Sequence, residues 1–295
     1  MRNSWVSWLL FIALCLIWGS SFFLMKVGMD HLSAYQVASL RMLTAGLLLV
    51  PFAGKAWRSI PRDRVPLVMA SGLLGSFFPA YLFCLAETKI DSSMAGILNA
   101  LTPLFTLLVG ILFFRLKARP IQITGTFVGF FGLVMLILTG SEVHLSNLSY
   151  SFFVIAATLM YGLNVNMVGR YMKDFRAIDI ASLAFVLLIF PSLAILLYTG
   201  YGSLPLLQGP YLHSTLAAVL LGTFGTAIAS ILFYILVKRA GPVFASMVTY
   251  GIPIVAIGWG LLRQEYIREK QVLSLLIILA GVYLVNRQEK KKPEV

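Results

Sequence analysis

Residues 75–115 align without a gap to residues 225–265, at a fixed offset of 150. Gly75 falls on Gly225, Leu82 on Leu232, Phe83 on Phe233, Ala95 on Ala245, Pro103 on Pro253 and Gly110 on Gly260. Each copy holds five apolar stretches long enough to be helices. An odd number of crossings returns a chain to the opposite side of whatever layer it crosses. The two copies, 1–142 and 143–288, are therefore expected to stand upside down relative to each other, followed by a basic tail at 289–295.

Composition identifies the layer. Apolar residues make up 59% of the 295 and charged residues 12%, with a mean hydropathy of +0.90. A water-soluble domain of this length cannot hide so much apolar surface. Stretches able to cross about 30 Å of hydrocarbon fall near 5–25, 33–53, 65–86, 92–113, 120–139, 148–168, 178–199, 213–236, 243–262 and 271–286. The first begins like a signal peptide, but its apolar run is too long for one and lacks a small-residue cleavage site, so it reads as a retained span. The expected fold is an all-α integral membrane protein with ten transmembrane helices arranged as two inverted five-helix repeats.

The formal charge of +12 is dispersed over short loops rather than gathered into a nucleic-acid face. Placing both termini in the cytoplasm puts seventeen basic residues there, from Arg2 to the Lys290–Lys292 tail. The other side receives five, Lys26, Lys89, Arg263, Arg268 and Lys270. That bias is the positive-inside pattern and predicts cytoplasmic termini. The partners this implies are a small molecule and the lipid bilayer, not nucleic acid. Cys15 and Cys84 lie inside spans, so no disulfide framework is implied. No nucleotide-binding or metal-binding motif is present, so no cofactor is expected. No histidine or carboxylate lies deep enough to activate Ser20, Ser21 or Ser230, which argues against an intramembrane enzyme.

Inverted repeats of membrane helices are how many secondary transporters build one site that opens to either side, and the polar residues at depth fit that use. Trp18 and Gly19 precede Ser20 and Ser21 in span 1, as Tyr161 and Gly162 precede Asn164 and Asn166 in span 6. Spans 4 and 9 carry Asn99, Thr102 and Pro103, and Thr249, Tyr250 and Pro253, at matching positions. A mid-span proline frees the carbonyl four residues earlier and bends the helix. Unpaired backbone is tolerated at that depth only inside protein or beside a cavity, which marks Pro103 and Pro253 as hinge candidates. Alternatively these prolines only shape helices while the Asn and Thr side chains bond between them. Tyr81, Tyr234 and Ser230 also lie within spans. Arg41 is the one basic residue well inside a span. It either anchors a substrate carboxylate or snorkels outward and locks two helices together. Every acidic residue lies in a loop or near a span end. Proton coupling would have to run through a boundary group such as Glu87 or Glu265, and facilitated passage is the competitor. Spans 5 and 10 hold glycines (Gly125, Gly129, Gly132 and Gly281) with scarcely a polar side chain. They are expected at the periphery, packing closely within the monomer or across a homodimer.

Trp18-Gly19-Ser20-Ser21-Phe22, Arg41-Met42 and Ala100-Leu101-Thr102-Pro103-Leu104 resemble the EamA-type transporters of the drug/metabolite transporter superfamily. The resemblance runs over nearly the whole chain. It implies a cavity lined by spans 1, 3, 4, 6, 8 and 9, with 5 and 10 as supports, and export of small metabolites, notably amino acids, across a cell inner (plasma) membrane. Relatives carry drugs, S-adenosylmethionine or nucleotide sugars. The family's glutamate just past spans 4 and 9 has a counterpart in Glu265 but is replaced by Arg115 at the first position. The expected function is alternating-access export of amino acids or related zwitterions. A drug or other metabolite transporter is the alternative, and a membrane scaffold the alternative of another class.

Overall fold

The computed structural model describes residues 4–90, 92–140, 148–252, 255 and 269–286. The described residues contain helices and no strand. In chain order they are α1 (Ser4–Met29), α2 (Ala34–Ser59), α3 (Arg62–Ala86), α4 (Ser92–Asn99), α5 (Thr102–Phe114), α6 (Pro120–Gly140), α7 (Leu148–Tyr171), α8 (Ala177–Tyr198), α9 (Gly209–Ala240), α10 (Pro242–Ile252) and α11 (Glu269–Asn286). Six of these, α1, α2, α3, α7, α8 and α9, are long and apolar enough to cross a membrane. At 26 residues, α1 rises about 39 Å, more than the hydrocarbon requires.

The helices turn large apolar side chains outward. Leu9, Ile12 and Leu16 on α1, Phe127 and Phe131 on α6, and Leu276, Leu279 and Tyr283 on α11 are exposed at three- or four-residue spacing. In water such stripes would drive aggregation; in lipid they face their own solvent. Backbone satisfaction is then left to the helices themselves and to short caps. Ser33 opens α2 with a capping box, its hydroxyl accepting from Gln36 N while the Gln36 side chain accepts from Ser33 N. The Gln36 amide also donates to Thr199 O at 3.0 Å, tying α2 to the end of α8.

Two glycine-dependent seams set how closely helices approach. Along α6 and α11, a Cβ added at Gly281 would sit 2.4 Å from Gly129 N, and one at Gly132 would sit 2.8 Å from Ile278 N. The small residues of spans 5 and 10 thus face each other within the chain. Between α2 and α8, a Cβ at Gly46 would lie 2.7 Å from Phe185 O. With no hydrophobic drive between helices in lipid, backbone contact of this kind supplies much of the packing.

Three departures from ideal helix shape the interior. The fourth apolar stretch is not one helix but two, broken at Ala100–Leu101 ahead of Pro103. Helices α3 and α9 each contain a π-helical segment, Leu73–Phe77 and Leu221–Ile228. The sequence carried no expectation of these wider turns.

A valine at position 281 has no room against the α6 backbone. Gly281→Val is expected to destabilise by about 1–3 kcal/mol through overpacking, lowering the thermal midpoint in detergent and membrane abundance. Gly54→Ala, where nothing lies within 4 Å of the new Cβ, should be neutral in the same assay.

Candidate functional site

The helices surround a cavity of about 110 Å³. Trp18, Ser21, Phe22 and Met25 reach it from α1, Arg41 from α2, and Gly75, Ser76 and Phe83 from α3. Asn99 and Thr102 enter from either side of the α4–α5 break, and Tyr161, Asn164 and Val165 from α7. Helix α9 supplies Gly225, Thr226, Ser230, Phe233 and Tyr234, and α10 supplies Ser246, Thr249 and Ile252. Neither α6 nor α11 contributes. The set matches the helices implied by the resemblance, with α2 added through Arg41.

The lining residues come in sequence-related pairs. Gly75 and Gly225, Ser76 and Thr226, Phe83 and Phe233, Asn99 and Thr249, and Thr102 and Ile252 all line the cavity at the offset of 150. Trp18 and Tyr161, Ser21 and Asn164, and Phe22 and Val165 do so at an offset of 143. Contacts pair in the same way. A Cβ at Gly75 would sit 2.1 Å from Asn164 Nδ2, and one at Gly225 would sit 2.7 Å from Ser21 Oγ. The Trp18 indole donates to Gly225 O at 3.0 Å. Both glycines lie in the π-helical segments, where the ladder shifts by one residue: Phe78 N–H donates to Leu73 O, and Ala229 N–H donates to Phe224 O; the Thr226 hydroxyl also donates to Leu221 O at 3.2 Å. Such wide turns recur at functional sites because they free a backbone or side-chain group from the regular ladder.

Charge in the cavity is simple. Among the described lining residues Arg41 is the one charged side chain. Its Nε donates to Thr226 Oγ1 at 2.6 Å, across from α2 to α9, and its terminal nitrogens make no hydrogen bond with described residues. A guanidinium held by one edge, half-buried and facing a cavity, presents its remaining N–H fork to a carboxylate. The amides are oriented. Asn164 Oδ1 accepts from Ser71 Oγ at 2.5 Å, and Ser71 lies 3.4 Å from the Tyr234 hydroxyl. One layer away, Asn166 Nδ2 donates to Thr106 O and Gly162 O, each at 2.8 Å, tying α7 to α5.

The polar residues singled out in the sequence are thus partly gathered. Trp18, Ser21, Arg41, Asn99, Thr102, Tyr161, Asn164, Ser230, Tyr234 and Thr249 all line the cavity. Ser20, Tyr81 and Tyr250 do not. Tyr81 pairs with Ser39 Oγ at 2.8 Å, between α3 and α2. Tyr250 is fully buried and donates to Thr126 O at 3.1 Å, fastening α10 to α6. Pro103 sits buried in the first turn of α5, and the carbonyl it frees, Asn99 O, is taken by the Thr102 hydroxyl at 2.6 Å. That carbonyl is therefore already satisfied by one donor within the chain, and Asn99 also brings its side chain to the cavity. Pro253 and Glu265 lie outside the described residues. The sequence reading passed over Thr226, Ser246, Ser76 and the aromatic wall of Phe22, Phe83 and Phe233. Thr226 and Ser76 were findable, since they occupy one repeat position next to the paired glycines.

Comparison with known proteins places this arrangement. The solved crystal structure of another protein superposes with a TM-score of 0.73, covering 96% of each chain at 17% identity, which shows a shared fold. The "Uncharacterized inner membrane transporter YedA" of Escherichia coli is 29% identical over 287 residues, covering 93% of this chain and 88% of that protein. The "Probable terminal-alkyne amino-acid exporter" of Streptantibioticus cattleyicolor is 23% identical, covering 98% and 95%. The "Probable amino-acid metabolite efflux pump" of Salmonella typhimurium is 28% identical over 142 residues, covering 46% of each. The model of the EamA-like transporter family matches twice, over residues 5–138 and 148–287. With all but the link and the ends of the chain inside those two matches, this protein belongs to the EamA-like transporter family.

Proposed function

We propose that this protein is a ten-span secondary transporter, built from two inverted five-helix repeats with both termini in the cytoplasm, that exports amino acids or related zwitterions by alternating access. The observation that carries the substrate class is the lone Arg41 in a small, largely apolar cavity with no carboxylate among its described lining residues. A substrate carboxylate would take the free fork of Arg41. Its ammonium group would meet the faces of Trp18 and Tyr161 and the oxygens of Asn99, Ser230 or Thr249. Lipophilic cations, the drug alternative, would face an unbalanced positive charge there. The names of the relatives from Streptantibioticus and Salmonella point toward amino acids and support the same reading.

Paired lining residues support the inverted-repeat architecture, and they suggest how access alternates. Helix α3 of the first repeat meets α7 of the second at Gly75 and Asn164, and α9 meets α1 at Gly225 and Ser21. Rocking one repeat against the other must slide these contacts. The π-helical turns sit at both, and Pro103 and, by its repeat position in the sequence, Pro253 are the hinge candidates. Coupling to protons would run through Glu87 or Glu265, and passage down a gradient is the alternative.

The test is efflux from liposomes preloaded with a mixture of radiolabelled amino acids, with and without a pH gradient. Efflux of a subset is expected; none from folded protein would shift the assignment to other metabolites, such as S-adenosylmethionine-like compounds, or to drugs. Arg41→Ala removes a charged hydrogen bond to substrate worth about 1.5–3 kcal/mol, so transport of the responding amino acid should fall roughly 10- to 100-fold at unchanged abundance. Gly75→Ala drives a Cβ into the Asn164 amide. It should cut transport at least about tenfold while costing no more than about 3 kcal/mol of stability. If the double variant Gly75→Ala/Asn164→Ala melts no higher than Gly75→Ala alone, that contact is not the cause.

A further inference from the structure

A second hollow, of about 660 Å³, lies at the ends of α5, α7, α9 and α10. Five cations line it, Arg115, Lys117, Arg170, Lys173 and Lys238, and no carboxylate does among its described lining residues. The backbone is shaped to hold them. Arg115 closes α5 in the left-handed region at φ 51°, the one non-glycine residue there among those described. The next residue's N–H returns to Gly110 O at 2.8 Å, which turns Lys117 toward the hollow's rim. Arg170 Nη1 donates to Phe114 O at 2.5 Å, pinning the end of α7 to the end of α5, and Lys238 Nζ donates to Phe175 O. Arg115, Lys117 and Lys173 have no such partner among the described residues. Asp179 lies 3.8 Å from Arg176, and with Asp174 it offsets part of the Lys238 charge at this end.

The hollow lies in line with the central cavity. On α7 the cavity is lined by Val165 and the hollow by Asn166, and on α9 Tyr234 gives way to Val237 within one turn of about 5.4 Å. On α10 the step from Ser246 to Pro242 is likewise a single turn. Asn166, which lines the hollow next to the cavity residue Val165, bridges there to Thr106 O on α5.

We infer that this hollow is an antechamber of the transport path that gathers small carboxylate anions before they pass Asn166 to Arg41. This rests on the proposed transport function. The position on the cavity's axis, walled by the cavity's own helices, favours a free solute over a lipid head group. A cleft lined by one sign of charge raises the local concentration of counter-ions by tenfold or more. In the proposed topology it faces the cytoplasm, where an exporter collects its cargo.

The test uses full-length protein in neutral detergent, titrated with succinate at constant ionic strength set by chloride, with thermal stability as the readout. A saturable rise in the melting midpoint is expected. Its half-saturation should move up roughly tenfold in Lys117→Gln/Lys173→Gln, two exposed rim positions, and the response should persist in Arg41→Ala. The inference is overturned by no saturable response, by an equal response in the double variant, by loss of the response in Arg41→Ala, or by stabilisation with phosphatidylglycerol but not succinate. If Arg41→Ala leaves amino-acid efflux intact, the role of Arg41 as carboxylate anchor fails, and if the unaltered protein moves no amino acid the transport reading fails; in either case the succinate titration still decides this site.

Discussion

Two glycines fix how closely the parts of this molecule approach at its centre. At Gly75 and at Gly225 the missing Cβ leaves just enough room for a polar side chain from a distant helix, the Asn164 amide in one case and the Ser21 hydroxyl in the other. A larger residue at either point would have to displace that amide or hydroxyl from its place in the cavity wall. In lipid, where apolar faces gain nothing by meeting one another, close packing at small residues is a principal source of packing energy. It also puts amide and hydroxyl groups where they need water, protein or substrate to satisfy them. Packing and polarity are thus set at the same two points.

Arg41 depends on that geometry. Its Nε reaches Thr226, and Thr226 sits in the π-helical stretch of α9 beside Gly225. An ordinary α-helix there would rotate the hydroxyl away along the ladder. The cation is therefore held by a local helix irregularity, and it gives the cavity one positive charge on an otherwise neutral, partly aromatic surface. The basic hollow one turn away extends the same sign of potential along the proposed path, a field that favours solutes carrying at least one carboxylate.

Much of this was legible in the chain because membrane solvent leaves few options. Long apolar runs can only be helices there, and the doubled sequence pointed to residues such as Asn99, Thr249, Tyr161 and Asn164 that the fold does bring to one cavity. The misplacements have physical reasons. Tyr250 and Tyr81 have the polarity of ligand-binding groups, but each satisfies its hydroxyl against a neighbouring helix, a choice that depends on helix rotation rather than on sequence. The carbonyl freed by Pro103 is capped locally by Thr102, which sequence periodicity does not reveal. The π-helical turns were invisible because a shift of one hydrogen bond has no compositional signature. Their glycines were conspicuous all the same.

The central claim is that one cavity serves both faces of the membrane, and thiol accessibility tests it directly. Thr226→Cys and Ser76→Cys place reporters on the two paired walls, with labelling of the buried Cys15 and Cys84 subtracted as background. A membrane-impermeant thiol reagent applied to right-side-out and to inverted vesicles should reach each reporter from both sides, more slowly when a transported amino acid is present. Labelling from one side alone, at a rate indifferent to every solute that the protein moves, would contradict alternating access through this cavity.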